Sequence, residues 1–134
     1  MLRLIQKRLK SGQFGRLKEK YKDYKNIVVL EGVNFLDSYY EQKYQTDILI
    51  LLENYFNYSN ILPGKAAVVN KLSKRFLSVS PINSELSRIL NGSEALVLSN
   101  NKSQIKIGLK KLIDDEIQGV VFHSSFNDYF GIAF

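Results

Sequence analysis

The stretch Ile48-Leu49-Ile50-Leu51-Leu52 decides the fold class of this chain. Five apolar residues in a row, bounded by the acidic residues Asp47 and Glu53, are typical of a strand that is buried on both faces. Strands of this kind occur in parallel sheets that helices cover on each side. The stretch therefore predicts an α/β protein.

A second apolar run, Ile27-Val28-Val29-Leu30, precedes it and predicts another buried strand. Between the two strands, residues 33–44 carry apolar side chains at helical intervals, which indicates an amphipathic helix. Its apolar positions are Val33, Leu36, Tyr40 and Tyr44. A strand–helix–strand succession favours parallel strands joined by a right-handed crossover.

The same alternation continues towards the C-terminus. Residues 103–117 form the clearest helix, and Gly119 follows as its C-cap. Ser80-Pro81 predicts a helix start, and residues 66–69 suit a short strand or the start of a helix. Further strands are predicted at residues 76–79, 95–98, 120–122 and 131–134. Residues 1–134 are therefore expected to form a single domain, a small three-layer α/β/α sandwich with a mostly parallel or mixed sheet.

Positive charge is concentrated at the N-terminus. Residues 1–25 contain nine Lys or Arg and two acidic residues, whereas the rest of the chain is close to neutral. Helical spacing in residues 2–10 and the lysines of residues 16–25 predict a basic helical segment. Such a segment suits a polyanion, with a solvated helix face as the alternative. The candidate phosphate contacts are Arg3, Lys7, Arg8, Lys10, Arg16, Lys18, Lys20 and Lys22.

Aromatic residues in the stretch between Glu53 and Gly64 are a second candidate feature. Tyr55, Phe56 and Tyr58 could stack on unpaired RNA bases. The alternative is that these side chains pack back onto the core.

Several classes of function are excluded by composition. The chain has no cysteine and one histidine, so a disulfide framework, a thiol nucleophile and a multi-histidine metal site are all excluded. No glycine-rich phosphate loop occurs, and no apolar run approaches the roughly 20 residues that span a bilayer. We therefore expect a cytoplasmic protein that binds no membrane, metal or cofactor.

Two groups of residues could carry chemistry. His123 lies beside Ser124 and Ser125, but a Ser–His–Asp triad is defined by geometry, and adjacency in sequence argues against one. Carboxylates at or near predicted strand ends could bind Mg²⁺ or could cap helices. These are Glu31, Asp37, Asp47 and Glu53. No residue is predicted to be catalytic, and a small metal-dependent phosphoesterase is the third of three functional hypotheses.

The chain from Leu2 to about Ser99 resembles the N-terminal substrate-binding domain of TrmH/SpoU-class RNA ribose 2′-O-methyltransferases. The resemblance rests on a basic first helix, a strand that ends in Glu31-Gly32, and a helix over residues 33–44. It continues with Phe76 to Ser80, a short helix and the strand over residues 95–98. The resemblance implies a small α/β/α sandwich that engages RNA, with structured rRNA or tRNA as the partner.

Family members continue into a methyl-donor-binding domain that opens with an Asn-x-Gly and an Arg. Here Lys106-Ile107-Gly108 and Leu112 occupy those positions. The resemblance therefore implies an RNA-binding module without its own catalytic site. A protein–protein adaptor, in a larger assembly or as a homodimer, is the alternative hypothesis.

Overall fold

A computed structural model describes residues 4–5, 11–53, 58–59, 64–123 and 126. Within it the chain divides into two compact units, residues 1–41 and residues 42–134. Each unit is compact by itself. The expectation of a single domain stays a prediction.

The first unit contains a parallel strand pair and a helix. Strand β1 (Leu4–Ile5) pairs with β2 (Val29–Leu30), and helix α1 (Ser11–Tyr21) lies between them in sequence and packs against β2. Helix α2 (Phe35–Tyr44) begins in this unit and ends beyond residue 41. Asn34 caps α2, since its side-chain oxygen accepts a hydrogen bond of 2.9 Å from the Asp37 amide.

The second unit is built on a three-stranded parallel sheet. Strand β5 (Arg75–Ser80) lies between β3 (Ile48–Leu52) and β7 (Leu96–Leu98). Helix α3 (Gly64–Leu72) connects β3 to β5, and α4 (Glu85–Ile89) connects β5 to β7. A short parallel pair, β4 (Tyr58–Ser59) with β6 (Asn83–Ser84), accompanies the sheet. Helix α5 (Lys102–Gln118) follows β7.

Helices cover both faces of this sheet, as the predicted three-layer α/β/α architecture requires. On one face, α3 and α4 pack against Leu49, Leu51 and Phe76. On the other, Leu112 of α5 packs against Leu77 and Val79, with Val97 completing the cluster. Each fully buried large apolar side chain stabilises the unit by about 1.5–3 kcal/mol, so these two clusters supply most of its stability.

Helix α5 lies very close to the sheet at Gly108. A Cβ atom at this position would stand 3.0 Å from Cγ1 of Val97 and 3.5 Å from Cδ1 of Leu77. A larger residue at this position would have to displace the Val97 side chain or move the helix away from the sheet. This contact fixes which side of α5 faces the sheet, and hence which side faces solvent.

A buried arginine ties the end of α5 to the start of the central strand. Arg75 is 5% exposed, and its Nε donates a hydrogen bond of 2.9 Å to Oε2 of Glu116. Its Nη2 donates to the carbonyl of Val120, and its guanidinium carbon lies 5.5 Å from the centre of the Phe122 ring. Asp115 adds a carboxylate oxygen 4.0 Å from Nη1. Asp115 and Glu116 near the end of α5 are thus paired with a charge from within the fold.

Several sequence predictions fail in the structure. Leu4–Ile5 form a strand instead of the helical turn that the spacing of residues 2–10 predicts, and the first helix runs from Ser11 to Tyr21. Residues 27–30 are half-buried, and β2 pairs with β1 in a sheet that does not include β3. Ser80 ends β5, while Ser84 caps α4 by accepting a 3.0 Å hydrogen bond from the Ser87 amide.

Two stretches that the sequence predicts to be buried are exposed in the structure. Val120 and Val121 belong to no strand and are 46% and 71% exposed. The predicted buried stripe of α2 is at least half exposed at most positions, and Ser38 is the buried residue of that helix. The last predicted strand, residues 131–134, lies outside the described residues.

We predict that Arg75→Ala lowers the free energy of unfolding by about 1.5–3 kcal/mol, because a buried guanidinium loses its hydrogen bonds to Glu116, which is 39% exposed, and to the Val120 carbonyl. Urea denaturation followed by circular dichroism measures the change. Exposed Arg88→Ala is the control, and we expect it to cost less than about 1 kcal/mol because its pair with Glu85 is in solvent. Equal losses in the two variants would show that the Arg75 contacts add little.

Candidate nucleic-acid interface

Helix α1 presents an apolar side to its own unit and a basic remainder to solvent. Phe14, Leu17 and Tyr21 recur at helical spacing, and all three are half-buried. The helix contacts β2, so this apolar side accounts for its packing. The charged residues between these positions are consequently held outwards.

Three of the predicted phosphate contacts lie on this helix, and two of them, Arg16 and Lys20, are one turn apart on the same side. Arg16, Lys18 and Lys20 are all exposed, and none forms an ion pair within the described part of the chain. Lys18 and Lys20 belong to the last turn, where positive charge interacts favourably with the helix dipole. The ammonium groups of both lysines lie over aromatic rings. Nζ of Lys18 is 5.6 Å from the centroid of the Phe14 ring, and Nζ of Lys20 is 5.2 Å from that of Tyr21.

The fourth predicted contact in this region differs from the other three. Lys22 donates a hydrogen bond to Oε1 of Glu19, and both side chains are well exposed. This pair reduces the positive charge that Lys22 offers to an incoming anion. Among the predicted phosphate contacts that the structure describes, those without an acidic partner are therefore Arg16, Lys18 and Lys20.

A tyrosine pair at the end of α1, half-buried Tyr21 with exposed Tyr24, was not predicted from the sequence. The rings of Tyr21 and Tyr24 meet edge to face with centroids 5.8 Å apart, and Tyr24 is 56% exposed. The Tyr24 amide donates to the Tyr21 carbonyl at 3.1 Å, which holds Tyr24 just beyond the helix. The signal was present as tyrosines interleaved with lysines in residues 18–25. We call Arg16, Lys18, Lys20, Tyr21 and Tyr24 the α1 surface.

The other predicted contact residues are distributed as follows. Arg3, Lys7, Arg8 and Lys10 lie outside the described residues, as do Tyr55 and Phe56. Tyr58 is placed in β4, where it pairs with Asn83 in parallel register. The proposal that these residues contact RNA stays a prediction.

The four candidate carboxylates do not share one sheet edge. Glu31 follows β2, which belongs to the two-stranded sheet, whereas Asp47 and Glu53 lie at opposite ends of β3. Oδ2 of Asp37 accepts a hydrogen bond of 2.6 Å from the side-chain amide of Asn34, the residue that caps α2. Within the described ranges, no group of three or more His, Asp or Glu side chains could hold a metal ion.

Glu53 and His123 differ in their surroundings. The Glu53 amide donates to the Val79 carbonyl at 3.1 Å and extends the ladder between β3 and β5. Its Oε2 is buried, without a hydrogen-bond partner among the described residues. His123 is exposed and follows an irregular segment, not the buried strand that the sequence predicted. Its sequence neighbours Ser124 and Ser125 lie outside the described residues.

The charges of α5 divide into two classes. Near its C-terminus, Lys111 donates to Glu94 at 3.0 Å and to Asp115 at 2.5 Å, and these hydrogen bonds raise the pKa of the Lys111 ammonium. The lysines closer to its N-terminus form no ion pair within the described part of the chain. They are Lys102, Lys106 and Lys110, and all three are exposed. A cation in the first turn opposes the helix dipole by about 0.3–1 kcal/mol, and Lys102 lies there.

Comparisons of the chain with protein-family models, with curated proteins and with solved structures gave no match. Among the described residues, no helix is both long enough and apolar enough to cross a membrane.

Proposed function

We propose that this protein is an RNA-binding module of the cytoplasm that contacts phosphates through the α1 surface. The observation that carries the proposal is the helix α1 itself, which buries an apolar side and exposes Arg16, Lys18 and Lys20 without internal acidic partners. When such side chains neutralise phosphates, the counterions condensed on the nucleic acid are released, and this release drives non-specific affinity.

The tyrosine pair supports a single-stranded nucleic acid over polyanions without bases. Exposed aromatic rings beside cations are the combination that grips single-stranded nucleic acid, because bases stack on the rings while the cations follow the backbone. Tyr24 is exposed at the end of a helix that carries three cations. The resemblance to the substrate-binding domain of RNA ribose 2′-O-methyltransferases belongs to the same proposal and implies a structured RNA partner.

Binding is favoured over catalysis by the arrangement of the titratable groups. The candidate carboxylates lie on different sheets or at opposite ends of one strand, and Asp37 is engaged in a helix cap. Paired-carboxylate chemistry requires two carboxylates near the same substrate, and within the second unit Asp47 and Glu53 lie at opposite ends of β3.

We expect Arg16→Glu with Lys20→Glu to weaken RNA binding about tenfold in low salt, because two phosphate contacts are lost. The slope of log affinity against log salt should fall by about 0.7–0.9 for each contact. Fluorescence anisotropy with a labelled RNA stem–loop and a labelled single-stranded oligouridylate, at several salt concentrations, measures both quantities.

The matched control is Lys65→Glu with Lys71→Glu on α3. Both lysines are exposed, Lys71 lies in the last turn of its helix as Lys20 does, and the change in net charge is the same. Identical affinities and salt slopes in the two double variants would rule out the α1 surface as the contact.

The stacking role of Tyr24 gives a second prediction. Tyr24→Ala should weaken binding to oligouridylate by about 1–3 kcal/mol, whereas Tyr24→Phe keeps the ring and should retain most of the affinity. Anisotropy at a single salt concentration suffices, because a neutral substitution leaves the salt slope unchanged. Equal losses for Ala and Phe would mean that the hydroxyl, and not stacking, makes the contact.

A protein–protein adaptor is the second candidate function, and the exposed apolar side chains favour it. Phe35, Leu36 and Tyr44 of α2 are 64%, 59% and 67% exposed, and Leu52 of β3 is 56% exposed. Large exposed apolar surface marks interaction sites in soluble proteins. If the partner is a second copy of this chain, the protein should form a dimer in solution. A monomer over a wide concentration range in light scattering would count against that form of the adaptor.

A further inference from the structure

The exposed lysines of α5 form a row along the helix. Lys102, Lys106 and Lys110 are spaced four residues apart, so they lie on neighbouring turns and extend over about 12 Å along the axis. All three are exposed. We call these residues the α5 row.

The packing of α5 directs this row away from the sheet. Gly108 lies close against the sheet, since its Cβ would stand 3.0 Å from Cγ1 of Val97. Lys106 and Lys110 are each two residues away from Gly108, about 200° around a helix of 3.6 residues per turn. Both side chains therefore leave the helix on the side opposite to the sheet, and no rotation of α5 could bury them without losing the Gly108 contact.

Three other charged residues of α5, Lys111, Asp115 and Glu116, have partners within the fold, whereas these lysines and Asp114 form no ion pair among the described residues. Arg75 engages Glu116 and Asp115, and Lys111 bridges Glu94 and Asp115. The α5 row has no such acidic partner among the described residues, and its first member lies where the helix dipole is already positive. A local arrangement that is unfavourable and uncompensated within a fold is characteristic of a functional surface.

We infer that the α5 row is a second phosphate-binding surface, through which residues 42–134 contact the backbone of the bound RNA. The inference rests on the proposed function and deepens it, since it assigns a contact to each of the two compact units. Three ammonium groups in line suit consecutive phosphates of one strand, and lysine acts there as a point charge without reading the bases. This surface should therefore add affinity and salt dependence and leave sequence preference unchanged.

The test is Lys106→Glu with Lys110→Glu, compared with Lys65→Glu and Lys71→Glu on α3, the helix packed on the opposite face of the same sheet. Both double variants change the net charge equally. We expect the α5 variant to lose about tenfold in affinity for the labelled stem–loop RNA and to lower the salt slope by about 0.7–0.9 per contact. The control variant should change neither by more than twofold.

A conservative variant separates binding from folding. Lys106→Gln with Lys110→Gln removes the charges with little effect on the helix, and circular dichroism verifies that it is folded. We expect it to lower the salt slope as the Glu variant does, with a smaller loss of affinity. A salt slope equal to that of the wild type would overturn the inference.

The remaining outcomes separate this inference from the proposed function. If the α1 variant loses binding while the α5 variant behaves like the α3 control, the α5 row is a solvated face and the proposed function stands. If the wild type shows no salt-dependent binding to either RNA probe, the proposed function fails and the α5 row fails with it. If the α5 variant alone loses binding, the α5 row stands and the α1 surface does not.

Discussion

The complete burial of strand β5 is the constraint on which the second unit depends. All six residues from Arg75 to Ser80 are buried, with β3 and β7 on either edge and helices over both faces. Buried polar groups in such a strand are stabilised by partners within the fold, and among those of Arg75 only Nη1 lacks a hydrogen bond. The Ser78 and Ser80 hydroxyls meet at 2.8 Å, and the charge of Arg75 is matched by the acidic end of α5. These contacts tie the end of α5 to the strand.

The sequence predicted the elements whose pattern is local and strong. Strands β3 and β5, helix α5 and the left-handed cap at Gly119, with a φ of +70°, all follow from apolar runs, helical periodicity and glycine chemistry. Prediction failed where a short apolar run could belong to a strand or to a loop. Residues 120–122 are such a run, and the carbonyl of Val120 is used to bind Arg75, a contact 45 residues away that no local pattern reveals. The exposed stripe of α2 shows the same limit, because periodicity identifies an apolar side without showing what it faces.

The candidate interface was predictable in composition and less so in detail. Counting basic residues located α1, and the structure then distinguishes Lys22, which pairs with Glu19, from Arg16, Lys18 and Lys20. The same distinction applies to α5, where Lys111 is engaged by two carboxylates and the α5 row is not. Sequence counts treat these lysines as equivalent. Ion pairing makes them different, and partners such as Glu94, 17 residues from Lys111, come from tertiary structure.

The Arg75 contacts also have a consequence for the order in which the chain is made. Arg75 is synthesised 41 residues before Glu116 and 45 residues before Val120, which supply its acceptors. During synthesis, the contacts that join β5 to the end of α5 can therefore form only after residue 120 has been added. They belong to the contacts that complete the second unit, and not to those that begin it.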